Sequence, residues 1–256
     1  MKSYLHRISN TLLINGGFLS NSGLYTGDMG IVLFFYLYAR FTQHEIYSEY
    51  GSGLLKKTQH KINRSTPLNY KQGLAGTGSC IEYLAQNGFI ETNTDDILED
   101  FDKRIFFTYN LPCLPVDQIA DIGYYALWRM AGNSVRTDTI IQSVMPQIVH
   151  AMEDRQKNKN MTHPIVSFFR DIMMSDNHHT SIISNWHQVC RTNNPFGRPQ
   201  GYAPTESLST FDLGIQNGLA GLGLSLLSDL DGDDSWLALF PEDIFSKTDN
   251  DPSLQV

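Results

Sequence analysis

The 256-residue chain is 41% hydrophobic, 11% aromatic and 18% charged, which is enough apolar material to offset the entropy of ordering a globular protein and excludes wholesale disorder. Its 27 acidic side chains outnumber 19 basic ones for a formal net charge of −8, and no stretch gathers Lys and Arg into a phosphate-binding face, which argues against a nucleic-acid partner. The segment Met1–Arg7 leads into no apolar run of signal-peptide or membrane-span length, so a soluble cytoplasmic protein without membrane contact is expected.

In chain order, the first predicted inner helix follows Gly23-Leu-Tyr-Thr-Gly27-Asp-Met-Gly30 and runs through Ile31-Val-Leu-Phe-Phe-Tyr-Leu-Tyr. It is apolar nearly all round, the mark of a helix buried on several sides. A second copy begins 46 residues after Gly27, at Gly73-Leu-Ala-Gly76-Thr-Gly78. An amphipathic outer helix is predicted over 95–106, opened by acidic residues at its positive end. A worn third copy at Gln118-Ile-Ala-Asp121-Ile-Gly123 keeps only the final glycine, and Pro164-Ile-Val-Ser-Phe-Phe marks a fourth with none. The last copy, Gly218-Leu-Ala-Gly221-Leu-Gly223, is again intact. About five units of roughly 45 to 50 residues, each a helical hairpin, account for the chain as one all-α domain over 1–256.

The glycines at 27, 30, 73, 76, 78, 123, 218, 221 and 223 read as packing devices. At a helix start they let neighbouring backbone approach closely. A dinucleotide-binding reading of residues 73–78 fails, because no β-rich strand precedes them and the glycine spacing is wrong.

Gly-Leu-Ala-Gly at 73–76 and 218–221, the apolar run after each, and the period of about 46 resemble the lanthionine synthetase C-like (LanC-like) family. The resemblance extends from about Gly23 to about Phe245. It implies an α/α toroid of helical hairpins, seven in full members, with room here for about five. It also implies a role in lanthipeptide-type natural-product maturation, with a precursor peptide or a partner modification enzyme as the binding partner. Catalytic members hold a zinc with two cysteines and a histidine, in Trp-Cys-x-Gly and Cys-His-Gly motifs near the starts of late inner helices. The metal stabilises a substrate thiolate that adds to a dehydrated Ser or Thr.

Neither motif occurs in this chain, and the matching positions of the last copy are Gln216-Asn217-Gly218. The expectation is therefore a pseudoenzyme with a binding or accessory role and no cofactor. The cysteines, Cys80, Cys113 and Cys190, are odd in number and widely spaced, which fits neither a disulfide framework nor a zinc ribbon. A divergent zinc cyclase is the alternative. Its ligands would be His187 and Cys190, three residues apart on a predicted helix, completed by Cys113. Cys80 reads as a small core residue.

A stretch rich in Pro, Gly and Asn, about 192–210, is predicted to be a long loop whose Phe196, Arg198 and Tyr202 suit peptide contacts. The tail from about 247 to 256 is predicted to be disordered. Asp229-Leu-Asp231-Gly-Asp233-Asp234 lacks the glycine and glutamate positions of a calcium loop and reads as a solvated turn. The acid pairs Asp95-Asp96 and Glu99-Asp100 could suggest a toroid carbohydrate-active protein, but their place at a helix start favours capping.

Overall fold

A computed structural model describes residues 1–107, 110–132, 134–156, 164–174 and 212–241. Among these the fold is all-helical, and β structure is limited to one isolated bridge between Asp212 and Gly218. No helix of the described residues is long and apolar enough to cross a membrane. The chain divides into two units, one within Met1–Cys80 and Phe196–Asp234, the other within Ile81–Pro195 and Ser235–Val256.

The first unit is built on α1 (Lys2–Asn15), α2 (Asp28–Thr42), α3 (Glu45–Lys61) and the last helix of the described chain, Leu219–Asp231. Every residue of α2 from Asp28 to Ala39 is buried, as its all-round apolar sequence predicts. Gln43, in the left-handed region at φ 57°, ends α2 and turns the chain into α3. α3 covers α2 through Gly51, Leu54 and Thr58 and keeps its remaining faces in solvent, so the two form an inner and outer pair. The last helix packs against both α1 and α2. It ends at Gly232, whose φ of 77° makes the turn, and the acidic stretch after it is a surface turn in which Asp233 pairs with Arg40.

The second unit contains α5 (Thr94–Ile97), α6 (Glu99–Phe107) and α7 (Val116–Ala131). A short α8 (Thr137–Thr139) leads through a π-helical turn, Ile140–Val144, into α9 (Met145–Gln156). The wide turn precedes Pro146, which has no N–H to continue the regular ladder. α10 (Pro164–Met173) packs on α9. The boundary between the units falls within α4 (Leu74–Gln86); the last helix, Leu219–Asp231, is α11.

Two sequence expectations need correction. The single amphipathic helix over 95–106 is two helices, because Leu98 leaves helical geometry and buries its side chain between them. The inner helices begin directly after the first glycine of each motif, at Asp28, Leu74 and Leu219, rather than after the second. The expected loop at 192–210 and tail at 247–256 lie outside the described residues.

Candidate functional site

The three intact glycine motifs fold into one repeated loop and helix start. In each, the first helical N–H donates to the carbonyl seven residues earlier: Asp28 to Asn21 at 3.1 Å, Leu74 to Pro67 at 2.9 Å and Leu219 to Asp212 at 2.7 Å. Both glycines of each motif press on that loop. A Cβ on Gly27, Gly73 or Gly218 would strike the carbonyl oxygen of Asn21, Pro67 or Asp212, and one on Gly30, Gly76 or Gly221 that of Leu24, Tyr70 or Ile215. Every one of these oxygens lies six residues before its glycine. Helix-end donors that would otherwise face solvent are thereby satisfied by the preceding loop.

The loops also bond to one another within the first unit. Tyr25 donates its N–H to Lys71 O at 3.0 Å, and Tyr25 O accepts from Ile215 and Gln216 at 2.8 and 3.0 Å. Gly23 and Gly214, at matching positions, abut the backbone of the next loop, at Gln72 and at Thr26. The last copy therefore sits beside the first. The exposed residues of this loop face are Lys71, Gln72, Gln216 and Asn217, with Thr26 half-buried.

Two of the third glycines serve aromatic packing. Gly223 lies against the Phe34 ring and Gly123 against the Phe169 ring, while Gly78 is buried in α4. The worn copy has lost the loop: α7 starts at Val116, before Gln118, and Pro115 O accepts an ordinary helical bond from Ile119. In the first copy Asp28 replaces the leucine found at 74 and 219 and is fully buried. Lys61 pairs with it and also donates to Leu19 O at 2.7 Å. Burial pushes the Asp28 carboxyl up, against the opposing pull of the lysine.

Of the metal candidates, Cys113 is exposed at the end of the turn Leu111–Cys113, while His187 and Cys190 lie outside the described residues, as do Phe196, Arg198 and Tyr202. Cys80 is buried, and burial pushes its thiol up, away from the thiolate a metal needs. Among the described residues no group of three His, Cys, Asp or Glu side chains could hold a metal ion. The described donor set therefore does not fit the zinc of catalytic LanC-like proteins.

The second unit holds an electrostatic centre that the sequence reading missed. The fully buried guanidinium of Arg129 on α7 donates to Glu82 on α4 at 2.7 Å and to both carboxylate oxygens of Asp102 on α6 at 3.1 Å. It also donates to Asp95, Thr94 and Ser134. The Tyr125 hydroxyl donates to Asp102 at 2.6 Å, and Arg136 approaches the same carboxylate from the surface. Asp95 is thus more than a helix opener. Asn93 caps α5 by accepting from Asp95 N–H, while the Asp95 carboxylate accepts from Arg129, Ser134 and Val135 N–H.

Burial pushes Glu82 up despite its arginine. The Asp95 carboxyl is also raised by burial, but its bonds to Ser134, Val135 N–H and Arg129 outweigh that and hold it below its ordinary value. A carboxylate with a lowered folded value stabilises above its unfolded value, near 4, and loses that contribution as pH falls through the folded one. The stability difference between the natural chain and Asp95→Asn should therefore shrink below about pH 4. Melting temperatures of the two proteins across an acid series check this, and a difference that grows toward low pH would contradict it.

These features define an all-helical repeat protein whose inner helices start from glycine-clasped loops. The family model for the lanthionine synthetase C-like protein matches residues 19–162, more than half of the chain, and the chain belongs to that family. The intact last copy lies beyond the matched residues and keeps the same loop geometry. No curated protein and no solved structure matches the chain.

Proposed function

We propose that this LanC-like protein acts in lanthipeptide-type peptide maturation as a zinc-free binding component in the cytoplasm, holding a precursor peptide or a partner modification enzyme. The observation that carries this reading is the composition of the helix starts. The residues beside the three clasped glycines are Thr26, Gln72 and the pair Gln216-Asn217, none of which is a zinc ligand of the cysteine or histidine kind. Amide and hydroxyl side chains at these places suit hydrogen bonding to a peptide backbone instead.

The exposure of Cys113 favours the second reading, a divergent zinc cyclase completed by His187 and Cys190. Metal analysis of protein purified without chelators, paired with an assay for thioether formation on a dehydrated peptide, separates the two. The binding reading expects no stoichiometric zinc and no thioether. Stoichiometric zinc that disappears in Cys190→Ala, with ring formation, would overturn it.

A further inference from the structure

Three Asn-Gly dipeptides occur in the chain: Asn15-Gly16, Asn87-Gly88 and Asn217-Gly218. This dipeptide is open to a spontaneous reaction in which the glycine backbone nitrogen, after losing its proton, attacks the side-chain carbonyl carbon of the asparagine. A C–N bond forms, the side-chain nitrogen leaves as ammonia, and water opens the cyclic imide to aspartate or isoaspartate. The reaction requires a glycine N–H that can shed its proton and a carboxamide that can turn.

The structure holds both groups at two of the sites. Asn15 Nδ2 donates to Thr11 O at 2.9 Å, and Gly16 N–H to Leu12 O. Asn87 Nδ2 donates to Tyr83 O at 2.9 Å, and Gly88 N–H to Ala85 O at 3.1 Å. At the third site neither group is held. Asn217 is exposed in the left-handed region at φ 56°, and among the described residues neither its carboxamide nor Gly218 N–H has a hydrogen-bond partner. Gly218 is also the N-cap of α11, so its nitrogen lies at the positive end of a helix, where the anionic nucleophile is stabilised.

We propose that Asn217 is a site of spontaneous deamidation, which turns the neutral position before the last helix-start glycine into a carboxylate. The product is itself favoured at a helix N-terminus. Thr26 and Gln72, the residues at the same place in the other copies, cannot close the same imide ring. The new charge arises one residue from Gln216, whose N–H bonds Tyr25 O, and the Tyr25 ring in turn carries the Lys71 ammonium. The modification therefore changes the charge of the exposed loop face, and its isoaspartate form also lengthens the main chain just before the clasped Gly218.

The test incubates the full chain at mildly alkaline pH and follows the three asparagine peptides by mass spectrometry, with isoaspartyl methyltransferase labelling to count isoaspartate. Asn217 should convert at least about tenfold faster than Asn15 and Asn87, the factor that one to two hydrogen bonds are worth. In denaturant the three rates should converge. Equal or slower conversion at Asn217 in the folded chain would overturn the proposal, as would a contrast that survives unfolding. Asn217→Gln should abolish the signal at this peptide alone.

Discussion

Replacing Arg129 by methionine is expected to destabilise the second unit by roughly 3–5 kcal/mol, the cost of stranding buried charge. The guanidinium is fully buried, as are its partners Glu82 and Asp102, so removing it leaves Glu82 without a counter-ion and Asp102 with only the more distant Arg136 in a site that water does not reach. Asp95 is partly wet and tolerates the loss better. Urea unfolding measures the penalty. The second substitution gives the sharper result. Glu82→Gln alone should destabilise the natural chain by breaking its ion pair, yet the same change in the Arg129→Met background should restore stability by removing an orphaned charge. Additive effects of the two substitutions would show that the cluster is not a coupled charge network.

Gly76→Ala is expected to be nearly as damaging, at about 3 kcal/mol, because the new methyl group falls on the Tyr70 carbonyl oxygen and backbone must move. The displaced loop is the one whose Pro67 and Leu68 carbonyls accept from Leu74 and Ala75, so helix-end hydrogen bonds are lost with the clash. Gly53 provides the opposite case. It lies exposed within α3, with open space where a Cβ would go, so Gly53→Ala should stabilise by about 0.5–1 kcal/mol through helix propensity alone. Thermal or urea unfolding of both variants tests whether the glycines act by geometry, and equal effects would refute it.

The sequence disclosed the elements whose signal is local and periodic. Gly27, Gly73 and Gly218 marked helix starts by spacing, and the apolar runs after them marked burial on all sides, since both patterns lie within one short window. The clasp itself was hidden. Carbonyls six and seven residues upstream belong to unlike residues, Asn21, Pro67 and Asp212, because backbone oxygens carry no side-chain signature. The Arg129 centre was hidden for a different reason. Glu82, Asp95 and Asp102 stand 47, 34 and 27 residues before their arginine. On the page each acid reads as an ordinary surface or helix-opening residue. The break at Leu98 was likewise invisible, since an apolar stripe runs through it unaltered. Of the candidate metal ligands only Cys113 could be placed, exposed and open to a metal, while His187 and Cys190 lie outside the described residues.

The bond from Ile215 N–H to Tyr25 O joins strands of chain about 190 residues apart, and a unit closed this way cannot finish folding early in synthesis. At ordinary elongation rates α2 waits on the order of 10 to 40 s for the helix that covers it to leave the ribosome. α2 is apolar on every side, so through that interval the nascent chain presents a surface that invites chaperones and self-association. The yield of folded protein should therefore depend on how quickly residues 212–231 arrive.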